Sequence, residues 1–174
     1  MLPSDIYHEK QSRMLCAVHC LNNLFQSRWI TKDKMDQICA NLSPGDYINP
    51  HKSLLGLGNY DVNAIMLALE EKSMQLNWFD KRKEISASSL ELTKSFGFIL
   101  NIPSDYTIAF ITLPLKSRHW ICIKKMADEK FYNLDSKLER PKCIGSEEDF
   151  VQYLQNEMKS NDKELFLVFP KDAS

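Results

Sequence analysis

The sequence has no excess of either charge, since 22 Lys plus Arg stand against 23 Asp plus Glu. No long-range field gathers phosphates from a distance, and the usual electrostatic footprint of nucleic-acid binding is missing. The densest basic run, Lys81-Arg82-Lys83, reads as a solvated turn. Apolar stretches break off well short of the roughly 18 residues that a membrane span needs, and no segment is both strongly basic and amphipathic, so no membrane anchorage is expected. The N-terminus lacks the basic start and apolar run of a signal peptide. The five cysteines, Cys16, Cys20, Cys39, Cys122 and Cys143, are odd in number and irregularly spaced, which points to the reducing cytosol and away from a disulfide framework. Internal repeats, low-complexity tracts and Gly/Ser linkers are missing as well. What remains is a chain of 174 residues, 44% apolar and 26% charged, for which a single domain over 1–174 and a monomer are expected. At this length folding buries roughly 70% of the surface of the unfolded chain, enough to hold a rigid site without metals.

Met14, Val18, Leu21 and Phe25, widened by Ala17 and Leu24, recur at three- and four-residue intervals and predict a buried helix starting near Ser12 or Arg13. A second helix follows Thr31, a good N-cap, with Met35, Ile38, Cys39 and Leu42 on one face, and a third follows Asp61 with Val62, Ile65, Met66 and Leu69. Between them a turn-rich stretch, Ser43 to Tyr60, exceeds the usual length of a helix connection. From Gln75 the period shifts toward strands at Leu76 to Phe79, Phe98 to Ile102, Ile108 to Leu113, His119 to Lys125, Phe131 to Ser136 and Leu165 to Phe169. Ser89 to Phe96 reads as a short helix. Ser146 with Asp149 resembles a capping box that opens a final amphipathic helix carrying Phe150, Val151, Leu154 and Met158. Helices early and strands late give the α+β class, with a mainly antiparallel sheet.

Cys16 falls in the first turn of the first helix, at the positive end of the macrodipole and near unpaired backbone N–H groups, an environment that favours thiolate. Free cysteine is also a common core residue, so position alone does not make it a nucleophile. Cys20, one turn on, raises a Cys-x-x-x-Cys metal site with His19 between, but tetrahedral zinc wants two more ligands and no second pair has suitable spacing. Cys20, Cys39, Cys122 and Cys143 read as packing residues and His19 as a hydrogen-bonded helix residue. A nucleophilic cysteine needs a base. Of His8, His19, His51 and His119, the best placed is His119, which opens a strand beside Trp120, a ring able to shield an imidazole from water. The next strand offers Asp135 to orient that imidazole. A three-residue turn would pair Met126 with Lys130, set Ile121 opposite Asp135 and make His119 its diagonal neighbour on one face; a two-residue turn would separate them. Gln11, five residues before Cys16, can supply a side-chain N–H for a developing oxyanion.

Ile6-Tyr7-His8-Glu9-Lys10-Gln11 followed by Leu15-Cys16-Ala17-Val18-His19-Cys20-Leu21-Asn22-Asn23 resembles the Josephin family of deubiquitinating cysteine proteases. Gly58-Asn59-Tyr60-Asp61-Val62-Asn63, Arg118-His119-Trp120 and Tyr132-Asn133-Leu134-Asp135-Ser136 look like that family's further motifs in the same order, and the resemblance runs from about Ile6 to Pro170. It implies a papain-like core with the nucleophile helix packed on the sheet. It also implies Cys16 as nucleophile, His119 as general base, Asp135 as orienting residue and Gln11 as oxyanion donor. The better-known longer members have Asn where Asp135 stands, and continue into ubiquitin-interacting helices and a polyglutamine tract, so the chain resembles the short, Josephin-only branch. The turn-rich Ser43 to Tyr60 stands where longer members carry a helical hairpin over the site.

The resemblance implies hydrolysis of the isopeptide bond at the ubiquitin C-terminus through a thioester on Cys16, with no metal or organic cofactor and with ubiquitin, polyubiquitin or ubiquitinated proteins as partners. Two other readings stand beside it: a ubiquitin-binding module with little turnover, and a protease or acyltransferase that acts on something other than ubiquitin.

Overall fold

A computed structural model describes residues 6–12, 14–42, 60–108 and 111–171, the side chains of 105–116 excepted. Most of Ser43 to Tyr60, with His51 and the Gly58-Asn59 part of its motif, lies outside the described residues, as does any role of that stretch as a lid.

Three helices come first: α1 (Cys16–Phe25), α2 (Lys32–Leu42) and α3 (Val62–Glu70). The side chain of Asp61 caps α3 by accepting from the N–H of Ala64 at 3.1 Å, and Thr31 Oγ1 accepts from the N–H of Lys34 at 3.3 Å ahead of α2. Helix α1 starts three or four residues later than its apolar stripe predicts. Its N-cap is Leu15, which has no capping side chain, and the backbone N–H of Ser12, near the predicted start, is held by His19 instead. The strands β1 (Met74–Trp78), β2 (Gly97–Ile108), β3 (Ile111–Lys125), β4 (Phe131–Asn133) and β5 (Lys142–Gly145) follow, then α4 (Glu147–Glu157) and β6 (Glu164–Pro170).

The six strands form one sheet in the order β1-β6-β2-β3-β4-β5, with every pairing antiparallel. The predicted α+β class and antiparallel sheet are therefore observed. Strand β6 is an interior strand between β1 and β2, and pairs Phe166 with Trp78 on one side and with Ile99 on the other. Both faces of the central strands are covered. Ile99, Trp120, Cys122, Phe166 and Val168 pack with α1, α2 and α3, whereas Phe98, Leu100, Ile121, Ile123, Leu165 and Leu167 pack with Phe150 and Leu154 of α4. Alternation of side chains along a strand sends neighbours to opposite faces, so a strand buried on both reads as a nearly continuous apolar run. Phe131 and Phe150 stack with ring centroids 4.1 Å apart on the α4 side.

Several elements depart from the predicted ones. The predicted strand Ile108 to Leu113 straddles two strands, since β2 ends at Ile108, which pairs with Ile111 at the start of β3, and residues 109–110 lie outside the described residues. Ser89 to Phe96 forms turns. The Ser86 and Ser89 side chains bond local backbone, Ser95 Oγ donates to Leu90 O at 2.8 Å, and Glu91 takes a left-handed φ of 48°. The strand predicted to run to Ser136 stops at Asn133, whose Oδ1 accepts the N–H of Asp135 at 2.9 Å and turns the chain. Strand β5 has no sequence signal, being short and without buried residues.

Candidate active site

Cys16 is the first residue of α1, and α1 lies against β3. That contact brings the head of the helix to His119. The β3–β4 turn has the three-residue form: Met126 N–H donates to Lys130 O at 2.9 Å, and Lys125, Lys124 and Ile123 pair with Phe131, Tyr132 and Asn133. This is the register that sets Asp135 diagonal to His119. Because β4 stops at Asn133, the chain carrying Asp135 is free to turn toward the imidazole, and His119 Nε2 donates to Asp135 Oδ1 at 2.6 Å.

A carboxylate only accepts, so Nε2 carries the proton of that contact and Nδ1 is the nitrogen available to the sulfur. Burial disfavours the charged form of His119. Hydrogen bonds with Asp135 and with Cys16, and the charge of both partners, outweigh it, and the imidazole is held above its ordinary value. Burial acts in the opposite sense on Asp135, yet the hydrogen bond and charge of His119 and the N–H of Lys137, which reaches Oδ1 at 2.9 Å, hold its carboxyl below the usual range. The structure thus places Cys16, His119 and Asp135 together. The site is closed: Cys16 is 4% exposed and His119 2%. Trp120 lies in the same buried cluster as Cys16, its indole N–H donating to Tyr60 O at 3.0 Å.

Gln11 is placed beside this group by its backbone, whose N–H donates to Ser136 O at 2.6 Å. His8 Nε2 donates to Asp135 O at 3.0 Å, and Asn23 Nδ2 donates to Leu134 O at 2.9 Å. The N-terminal segment therefore runs as a strap between α1 and the chain after β4. Cys20 is the packing thiol the sequence suggested, with burial and the neighbouring Cys122 thiol pushing its pKa well up.

Sequence reasoning missed the polar network inside that strap. The Glu9 carboxylate accepts from Tyr7 Oη, from His19 Nδ1 at 2.6 Å and from Asn22 Nδ2 at 3.1 Å, while the Glu9 N–H donates to Asn23 Oδ1 at 2.6 Å. Asn22 and Asn23 are 1% and 0% exposed. Two consecutive asparagines on an otherwise apolar helix were the available signal, because buried amides need partners. A cleft of about 650 Å³ opens over Glu9, Ser12, His19 and Arg28 on a flank of α1; Cys16 and His119 are not among its walls.

A sulfur at a helix head, an imidazole on the adjoining strand and a carboxylate behind it, on helices packed against an antiparallel sheet, define the cysteine–histidine–carboxylate class of arrangement. The chain belongs to the Josephin family, whose signature matches residues 11–169. It is 44% identical to a Josephin-like protein of Drosophila melanogaster, over 99% of this chain and 77% of the relative. It is 41% identical to Josephin-2 of Homo sapiens, over 98% and 89%. Ataxin-3 of Homo sapiens is 24% identical over 80% of this chain, a match that spans 39% of that longer protein.

Proposed function

We propose that this chain is a thiol-dependent deubiquitinase that hydrolyses the isopeptide bond at the ubiquitin C-terminus, with Cys16 as nucleophile, His119 as general acid and base, Asp135 as its orienting residue and Gln11 as an oxyanion donor. The observation that carries the reading is the 2.6 Å contact between His119 Nε2 and Asp135 Oδ1, which fixes the imidazole with its other nitrogen toward the head of α1. Membership of the Josephin family supports the substrate class.

In this mechanism the Cys16 sulfur attacks the carbonyl carbon of the terminal glycine as its proton passes to His119. The oxygen gains the charge and is met by the Gln11 side-chain N–H and the Cys16 backbone N–H. Collapse of the tetrahedral intermediate breaks the C–N bond, and His119 returns the proton to the departing lysine amine. Water, deprotonated by His119, then attacks the thioester and regenerates the thiol. The slight exposure of Cys16 favours an acyl group without a side chain, as a terminal glycine is. The same closure favours, as a second reading, a ubiquitin-binding module that turns over slowly.

A fluorogenic ubiquitin C-terminal amide separates the two. Turnover abolished by Cys16→Ala is expected, together with a covalent adduct on Cys16 from ubiquitin bearing a C-terminal electrophile. Binding without turnover or adduct would favour the module, and a clear preference for another modifier would defeat the substrate assignment.

A further inference from the structure

Gln11 is useful as a donor only if its backbone is held while its side chain points at the reacting oxygen. The peptide groups on both sides of Gln11 are pinned. Its own N–H donates to Ser136 O at 2.6 Å, and the next N–H, that of Ser12, donates to His19 Nε2 at 3.3 Å. The second bond requires a bare Nε2. Glu9 supplies that condition, since its Oε2 lies 2.6 Å from His19 Nδ1 and, as an acceptor, places the imidazole proton there. Glu9 is itself fixed by Tyr7, Asn22 and Asn23; burial acts to raise its carboxyl, but the hydrogen bonds it accepts from Tyr7, His19 and Asn22 hold it below the usual range.

We propose that His19, its tautomer set by Glu9, is a positioning residue that holds the Gln11–Ser12 segment and so aims the Gln11 donor at the carbonyl attacked by Cys16. This rests on the reading of Gln11 given above. His19 and Cys16 stand three residues apart on α1, so the hook for the strap and the nucleophile move as one body. Ser12 Oγ also lies 3.4 Å from Nε2, giving the outline of a Ser–His–Glu relay. The Ser12 N–H competes for the same lone pair, however, and the hydroxyl is a secondary contact to it.

The test compares His19→Leu, which removes the acceptor, with His19→Gln, which keeps an amide oxygen for it, each alone and with Gln11→Ala. Turnover of the fluorogenic ubiquitin amide and amide hydrogen exchange are measured on the full chain. His19→Leu is expected to lower kcat by up to about 100-fold, the scale of a misplaced reacting group, with KM changed less than about twofold. His19→Gln recovers most of it. In the Gln11→Ala background His19→Leu costs little more, because both act through one donor. The Ser12 amide exchanges faster in His19→Leu while amides of α4 do not. Full additivity, equal losses in the Leu and Gln variants, or unchanged exchange at Ser12 would overturn the proposal. Absence of wild-type turnover, or a Gln11→Ala variant with full kcat, counts instead against the deubiquitinase mechanism, and exchange at Ser12 still decides whether His19 holds the strap.

Discussion

His119 and Asp135 tune one another, and the consequences for pH have opposite signs. His119 is held above its ordinary value of 6.5, so its contribution to stability is complete below that pH and is lost as the pH rises through the folded-state value. Asp135 is held below 3.8, so its contribution is complete above that pH and is lost as the pH falls through the folded-state value. The pair therefore stabilises the fold most between these two ordinary values. Asp135→Asn keeps an acceptor for Nε2 but removes the charge, leaving burial to act with less opposition. The NMR titration midpoint of the His119 ring should move down; a midpoint that stays put would show that Asp135 does not face the imidazole in solution. Ser136 makes a different kind of prediction. The residue is 2% exposed, and its buried hydroxyl has no hydrogen-bond partner among the described residues. Burying an unpaired hydroxyl costs about 1–3 kcal/mol, so Ser136→Ala should raise the thermal midpoint by a few degrees. A lower midpoint would reveal a partner for it.

Among the elements, those announced by local chemistry were readable from sequence. Asp61 and the Ser146–Asp149 capping box, both observed, marked α3 and α4, and the apolar stripe marked α1. The Met126–Lys130 turn left two registers open, and only the paired strands chose between them. The Ser89 to Phe96 segment failed because serine hydroxyls bond the backbone locally at a cost to the helix. The Glu9–His19–Asn22 network was only half signalled: adjacent asparagines on α1 mark buried amides, but their partners lie on a strap whose contact with the helix no periodicity encodes. Packing between elements also makes a prediction. A Cβ added at Gly97 would sit 2.5 Å from Leu24 Cδ1 and 3.2 Å from Ile123 O, so this glycine lets α1 approach the sheet. Gly97→Ala should cost roughly 1–3 kcal/mol by overpacking and lower turnover as well, by shifting the helix that carries Cys16. At Gly145, with φ +127° and the Asp149 side chain against any Cβ, the same change should lower the melting temperature without moving the site. Equal effects on activity from the two variants would contradict this division.

Over the whole molecule, two apolar clusters share the same strands, one beneath α1 to α3 and one beneath α4. Residues 98 to 100, 120 to 123 and 165 to 168 alternate between them, so neither cluster can dissolve without exposing the backs of the other's strands. Phe150→Ala, on the face away from Cys16, should therefore cost about 3–5 kcal/mol and lower the midpoint of one cooperative transition followed by both fluorescence and thermal inactivation. Two separate transitions would show that the clusters melt independently.

The placing of β6 between β1 and β2 has a temporal side. As the ribosome releases the chain, the sulfur of Cys16 emerges before its imidazole partner by some hundred residues, and the strand that joins β1 to β2 follows both. Until Glu164–Pro170 slides into the gap, β2 has no neighbour on the β1 side, and the floor on which α1 rests is unfinished. The nascent polypeptide thus carries the Cys16 thiol past the making of every element from α1 to α4 before the sheet beneath its helix is whole.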